Sequence, residues 1–532
     1  MTVVPQFAVS LSPAFPAPVS PRSRLPLGLT LLTLMGILVL PAVCTAQAAA
    51  PAQPLIPPSA AHEITPAPAD PAIAAALKQV SPEQIQAIIT RLVAFNNRST
   101  VSSIDTDLAP GTGVLPAADW IESQFKEISA ACGNCLEVKR DDFIEPASNA
   151  PYSRITKPTR IVNVYAVLHG TDPAQADRRV LVTGHYDSRV TDIMNSHSPA
   201  PGANDDASGV AVSLESARVL SKLKFPSSIV FVAVAGEEQG LNGSGHLAKL
   251  AKSEGWQLEA VLNNDIVGGD TTPGDTGQDK SAVRVFSEGV PSPTTPEGAP
   301  DAIRMIHTLG SDSDSTSREL ARSITEVSST YFPAAGVHAM HRPATGSGRE
   351  PFHPVLIFRA DRYLRGGDHT SFNLEGFPAV RFTEWQENFD HQHQDLRVEN
   401  GIQFGDLIQY VDFHYVANVA RLNAAVLADL AAAPGPPQEV HILTQALDNS
   451  TELKWEPPVG APANTTYEVV WRPTDQPNWT EALSTGSNTA VRIALSKDNV
   501  VFGVRSADPA GHRSVAVLPL PLRRTAPPAP KK

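Results

Sequence analysis

An α/β fold with a mainly parallel central sheet sandwiched by helices, followed by a small C-terminal all-β sandwich, is what this sequence predicts. Three observations carry that reading. Between 179 and 267, short β-branched runs ("RVLVTG", "SSIVFVAVAG", "LEAVLNNDIVG") alternate with helical periodicity ("ASGVAVSLESARVLSKL", "GSGHLAKLAKS"). Continuous apolar runs of that length are the type of strands buried on both faces, and regular strand–helix alternation makes a largely parallel sheet. A long apolar helical segment from Tyr410, "YVDFHYVANVARLNAAVLADLAAA", closes the domain. After it, short alternating segments such as "TELKWEPP" and "TYEVVWRP" read as about seven strands of a sandwich.

Taken in order, residues 1–48 read as a signal peptide. Arg22 and Arg24 precede the uncharged run "LPLGLTLLTLMGILVLPAV", and Ala46-Gln47-Ala48 has the small-residue pattern of a cleavage site. An uncleaved anchor is the alternative; after cleavage no stable membrane insertion is expected. Residues 49–75, rich in Pro and Ala, read as a tether. The main domain spans 76–433. It begins with a helix at 81–95, where Ser81 is a natural N-cap and Pro82 fits the first helical position. A second helix fits 115–129 and a strand 160–170. The stretch 269–350, rich in Gly, Pro, Ser and Asp, reads as loops around one helix at 315–328. A strand returns at 379–384. Residues 434–440, "PGPPQEV", read as a proline hinge, 441–524 as the sandwich and 525–532 as a tail.

The 532-residue chain carries a formal net charge of -13, which argues against a nucleic-acid partner, since that needs basic clusters. Beyond Cys44 in the signal, the cysteines are Cys132 and Cys135 in "CGNC". No second pair exists for a four-sulfur zinc site. In an exported, oxidising setting a small loop-closing disulfide is the better reading than a redox centre.

Chemistry concentrates at the ends of the three central strands. His185 in "GHYDS" ends the first, "GANDDASG" lies in the loop that follows, "GEEQG" ends the second, and Asp265 ends the third. In a parallel sheet those ends share one edge, where ligands bind. Singly, each residue has an ordinary explanation: a helix cap, a solvated loop or a buried histidine. Four such accidents on one edge are a poor explanation, whereas imidazole nitrogen with carboxylate oxygens suits zinc.

In this order, "TGHYDS", "GANDDASG", "AGEEQGLNGS" and "NNDIVG" resemble the di-zinc aminopeptidases of metallopeptidase family 28, over roughly 85–430. The resemblance implies a zinc exopeptidase-like fold and two Zn2+ ions. It implies His185 as a ligand, Asp205 bridging both ions, Glu238 on one ion and Asp265 on the other. Glu237 would be the general base and Asp187 the carboxylate orienting His185. A fifth ligand is expected from "ENFDHQHQD". One form of the family motif, a histidine four residues before Asp395, selects His391; the "QHQD" form selects His393, which we take. "GGDHTSF" resembles a loop beside the site and offers Asp368 and His369 to substrate. The C-terminal segment resembles a fibronectin type III domain at Trp455 in "LKWEPP" and in "FGVRSADPAG", with Val500 in place of an expected aromatic.

The implied activity is removal of N-terminal residues from a peptide or protein substrate, through attack of a hydroxide bridging the two metal ions. The same fold also implies alternatives: a carboxypeptidase or dipeptidase, a one-zinc glutaminyl cyclase, or an inactive binding ectodomain. Nothing in the sandwich looks catalytic, and its partner is not indicated.

Overall fold

The computed structural model describes residues 53–291, 299–309, 313–333, 351–445 and 447–522. The expected signal peptide (1–48) and tail (525–532) lie outside them. No helix among the described residues is long and apolar enough to cross a membrane.

The chain enters through β1 (Leu55–Ile56), β2 (His62–Glu63) and α1 (Pro71–Leu77). Then come α2 (Pro82–Val93), α3 (Val114–Ala131), β3 (Leu136–Glu145), β4 (Thr159–Leu168) and β5 (Arg178–His185). Next are α4 (Ala207–Leu220), β6 (Ser228–Val234), α5 (Asn242–Ser253), β7 (Gln257–Asn264), β8 (Ala282–Ser287) and α6 (Ala299–Leu309). The domain continues with α7 (Thr316–Tyr331), β9 (His353–Ile357), α8 (Asp368–Leu374), β10 (Ala379–Glu384), the ribbon β11 (Arg397–Glu399) and β12 (Ile402–Phe404), and α9 (Phe413–Ala432). As the sequence indicates, Ser81 caps α2: its hydroxyl accepts from the N–H groups of Glu83 and Gln84, both at 3.2 Å. Cys132 and Cys135 form a disulfide between α3 and β3.

Eight strands make the central sheet, in the order β3-β4-β6-β5-β7-β10-β8-β9. The four at its middle, β6, β5, β7 and β10, are mutually parallel. The whole sheet is nevertheless mixed, which corrects the mainly parallel expectation. β3 and β4 run antiparallel at one side, and β8 is antiparallel to β10 at the other. The reason lies partly in 269–350. Read as loops around a helix, this stretch supplies β8, whose "AVRVFS" is short and set among polar turn residues, and β9 pairs with it just beyond. Helices α2, α4 and α9 cover one face, where Ile85, Val212 and Val419 belong to one buried cluster; α5 and α8 cover the other, around Leu247 and Phe372.

Seven further strands follow: β13 (Gln438–Leu443), β14 (Thr451–Glu456), β15 (Thr466–Pro473), β16 (Glu481–Gly486), β17 (Ala490–Ile493), β18 (Val500–Ala507) and β19 (Leu520–Leu522). They form a separate β-rich region of two sheets, β1-β17-β14-β13-β19 and β18-β15-β16-β2. Trp455, Tyr467, Val469 and Trp471 fill the space between them, as period-two alternation requires.

Two linker expectations are corrected. From residue 53 the Pro/Ala-rich segment is not a free tether: β1 pairs with β17, and β2 with β16. Short strands held by partners from far along the chain leave no periodic signal, so composition alone misread them. Nor is 434–440 a free hinge. Pro434, Gly435 and Pro437 are buried, and Arg178 Nη1 donates to the Ala433 carbonyl at 3.0 Å.

The β-rich region is fixed to α7 by buried charge. Arg322, 1 % exposed, pairs with Glu319 and lies 3.3 Å from Asp314, which also pairs with Arg472 of β15. Trp479 Nε1 donates to Glu319 Oε2 at 3.1 Å, and Arg322 Nε to the Pro477 carbonyl at 2.6 Å. Burial pushes the Glu319 carboxyl up to about 7 despite Arg322. Removing one member of a buried ion network strands the others without water. Arg322→Ala is therefore expected to cost about 3–5 kcal/mol, read as a lower denaturation midpoint in guanidinium. A shift below about 1 kcal/mol would mean the junction is wet and the pairs weak.

Candidate metal centre

Register explains why the candidate residues meet. His185, the last residue of β5, lies opposite Val234 at the end of β6, and Thr183 opposite Asn263 near the end of β7. The three strands therefore finish level, and Glu237, Glu238 and Asp265 leave from the same edge. Asp205 and Asp206 precede α4 and divide the work. Asp206 is the helix cap, accepting from Gly209 N at 2.9 Å, and it also accepts from His185 N at 3.0 Å. Asp205 instead faces the cavity.

Two groups of potential ligand atoms result: His185 with Asp205 and Asp265, and Asp205 with Glu238 and His393. Asp205 belongs to both and uses a different oxygen for each. Its Oδ1 is 3.1 Å from His185 Nε2, and its Oδ2 is 2.9 Å from His393 Nε2. His393 Nε2 is also 3.1 Å from Glu238 Oε1, and His185 Nε2 is 3.9 Å from Asp265 Oδ1. Between His391 and His393 the geometry separates clearly. His391 turns away, with Nδ1 3.2 Å from Asp270 Oδ1 and its ring stacked on Tyr410.

Asp187 lies behind His185. The ring Nδ1 is 3.1 Å from the Asp187 carbonyl and 3.5 Å from its Oδ1, which turns Nε2 towards Asp205. Asp187 Oδ2 accepts from Thr100 Oγ1 at 2.9 Å and from Glu238 N at 3.1 Å, so one carboxylate ties the first strand end to the second. Asp368 and His369 do not reach the cavity wall, contrary to expectation. Both are fully buried at the start of α8, and His369 Nε2 bonds the Ala360 carbonyl at 2.8 Å. The short helix turns both side chains into the protein, where His369 supports the 360–367 loop.

Two contributors carry no motif. Asp406 accepts from Asn204 N at 2.9 Å and from Asp205 N at 2.7 Å, which fixes the loop that presents Asp205. Arg381, in the middle of β10, is fully buried with Nη2 2.9 Å from Asp265 Oδ1. A basic residue inside an apolar strand was the available signal for Arg381; Asp406, two hundred residues from its partner, gave none.

The electrostatics fit dications. Burial pushes the Glu237 carboxyl well above its ordinary range, with Glu238 and Asp265 adding to the rise against His185. Asp265 is raised by burial in spite of Arg381. His393 is pushed up to about 10, because Glu238 and Asp205 outweigh the burial that opposes its charge. Asp205 goes the other way, held well below its ordinary range because His185 and His393 outweigh its burial. Raised histidines packed against a shared carboxylate, with raised acids beside them, are what a site short of positive charge looks like, and bound cations invert that logic. His185 Nε2 and Glu238 Oε1 are also buried and, despite neighbours at 3.1 Å, make no well-aligned hydrogen bond among the described residues. The mixed N/O donor set matches zinc. The centre opens into a cavity of about 550 Å3 lined by Asp205, Glu237, Glu238 and Asp265.

A mixed α/β sheet with two candidate metal clusters sharing one carboxylate at its parallel edge defines a metallohydrolase. Comparison with known proteins gives the particular family. The profile of peptidase family M28 matches residues 163–333. A probable zinc metalloprotease of Leptosphaeria maculans is 44% identical over 459 residues, covering 86% of this chain and 99% of that protein. Another of Pyricularia oryzae is 43% identical over 454 residues, covering 84% of each. Among solved structures, the LapA aminopeptidase of Legionella pneumophila is 20% identical, covers 68% of this chain and 74% of that one, and has a TM-score of 0.44. A glutaminyl cyclase of Porphyromonas gingivalis is 18% identical, covers 65% and 97%, and has a TM-score of 0.40. The chain belongs to peptidase family M28 and is a zinc-dependent metallopeptidase.

Proposed function

We propose that the protein is an exported di-zinc exopeptidase that releases N-terminal residues from peptides. The observation that carries the two-metal assignment is Asp205, which directs one oxygen to His185 and the other to His393. In this reading His185 and Asp265 would hold one zinc, Glu238 and His393 the other, and Asp205 would serve both. Asp187 holds the His185 ring and its tautomer. Two zinc ions there would lower the pKa of a water and polarise the scissile carbonyl. Glu237, on the cavity wall with a raised pKa, takes the proton of the attacking water and returns it to the leaving amine. The Cys132–Cys135 disulfide supports export. The β-rich region, read as a fibronectin type III-like domain, is part of the enzyme's body because buried ion pairs hold it to α7.

A second reading, a carboxypeptidase or dipeptidase, is favoured by one observation: the remaining charged side chains of the cavity include four arginines. A panel of aminoacyl p-nitroanilides and N-acetylated peptides, assayed with and without chelator, separates the two. Release from free-amine substrates that chelation abolishes is expected. Cleavage of N-blocked peptides alone would overturn the aminopeptidase reading and leave the second.

A further inference from the structure

We propose that the cavity beside the metal clusters is a carboxylate-recognition subsite, so that the preferred substrates carry a negative charge next to the scissile bond. The inference rests on the hydrolytic reading above and adds the substrate class.

Its basis is the charge left facing the cavity. The lining carboxylates are Asp205, Glu237, Glu238 and Asp265, each already placed as ligand or base. No carboxylate beyond these four is among the described lining residues. The other charged groups are His393 and the guanidiniums of Arg154, Arg189, Arg362 and Arg365. Four arginines match the four carboxylates around this one cavity, although the chain as a whole carries a net charge of -13.

The guanidiniums are held, and Arg154 and Arg189 are held mainly by backbone carbonyls that leave their charge in place. On the Glu238 flank, Arg154 Nη1 donates to the Glu238 carbonyl at 2.7 Å, and Arg154 makes no ion pair among the described residues. Arg189 donates Nε and Nη2 to the carbonyls of Val190 and Thr191, at 3.1 and 3.0 Å. Its Nη1 is left 4.0 Å from Glu238 Oε2, the carboxylate assigned to zinc. On the opposite wall three guanidiniums crowd one carboxylate: Glu387 takes Arg362 at 2.6 Å, Arg284 at 3.1 Å and Arg365 at 3.2 Å. Arg362 is also paired with Asp361, at 3.0 Å, whereas Arg365 shares Glu387 with two other guanidiniums and keeps 31% of its side chain exposed. A planar guanidinium fixed by carbonyls or a neighbouring carboxylate presents its other N–H groups as a preorganised fork for a carboxylate. Exposed Leu364 and Phe389 at the same wall supply apolar surface for the stem of an acidic residue.

The carboxylate has two sources, an Asp or Glu side chain at the scissile bond or the free C-terminus of a short peptide, and the test distinguishes them. Zinc-loaded full-length enzyme is assayed on peptide pairs differing only as Glu or Gln at the residues flanking the scissile bond, each with a free or amidated C-terminus. A preference of ~10–100-fold in kcat/KM for the charged member is expected. If it follows Glu over Gln whatever the C-terminus, the side chain is the ligand; if amidation abolishes it, the C-terminal carboxylate is. In the double variant Arg154→Gln/Arg365→Gln the preference should fall to within ~3-fold, about the cost left when only rim charge steering remains. Arg365→Lys should retain part of it, because the charge survives while the fork is lost.

Calorimetric binding of glutarate against glutaramide gives a readout free of turnover, and zinc content with melting temperature checks that each variant is folded. Equal kcat/KM for acid and amide peptides, with glutarate binding no tighter than glutaramide, would overturn the subsite. An enzyme holding two zinc ions that hydrolyses no peptide would instead overturn the exopeptidase reading. Glutarate binding lost in the arginine variants would still support the subsite in that case.

Discussion

Glu237→Gln is expected to keep two zinc ions per chain while kcat falls by about 10²–10⁴-fold, the usual contribution of a positioned general base. The asymmetry follows from where the side chain stands. Glu237 lies on the cavity wall but outside both groups of ligand atoms. Its loop is fixed from behind, since Glu237 N lies 3.4 Å and Glu238 N 3.1 Å from the Asp187 carboxylate oxygens. Glutamine has the same shape and leaves those backbone contacts in place, so the Glu238 ligand should not move. What is lost is the ability to accept a proton. Burial and the neighbouring carboxylates raise the Glu237 carboxyl above its ordinary range, which favours its taking up a proton. Zinc by plasma emission and single-substrate kinetics on the same preparation read both halves. Turnover within about threefold of wild type would remove Glu237 from the proton path, since even a modest general base contributes more.

How much of this was legible beforehand depends on the range of the interactions. The central strands and their candidate ligands lie within ninety residues, and their periodicity and motifs are local, so His185, Asp205, Glu238 and Asp265 were readable as one edge. The junctions were not. β1 and β2 exist because distant strands offer open edges, and Arg322 is tolerated in the interior because Glu319 and Asp314 meet it there. Asp406 and the cavity arginines have the same character: each matters through a partner that sequence spacing does not reveal. The choice between His391 and His393 was a choice between two motif forms. Packing separates them, because Asp270 and Tyr410 occupy His391 while the next turn of chain carries His393 inward. A left-handed φ of 58° at His393 is part of that turn; a β-branched residue there would be strained.

The sharpest expected effect belongs to Asp205. If it serves both ions, Asp205→Ala should remove both zinc ions at ordinary concentrations, whereas His185→Ala and His393→Ala should each weaken chiefly one. The geometry requires that order. Asp205 contributes Oδ1 to the His185 side and Oδ2 to the His393 side, so its loss takes a ligand from each cluster at once. It also removes the carboxylate that the two clusters share, and without it the mutual repulsion of two dications would oppose filling the second site. His185→Ala leaves Asp205, Glu238 and His393 together, and His393→Ala leaves Asp205 with His185 and Asp265. Titration of apo-enzyme with zinc against a competing chelator should show one strong step in each histidine variant and none in Asp205→Ala. Activity should be lost in all three, by at least the ~10–100-fold that even outer-shell changes cost at metal sites. The pattern is diagnostic because a merely structural role for Asp205 predicts something else: a variant with a lower melting temperature that still binds two zinc ions when folded. Two tight steps in folded Asp205→Ala would dismiss the bridge and leave two independent sites.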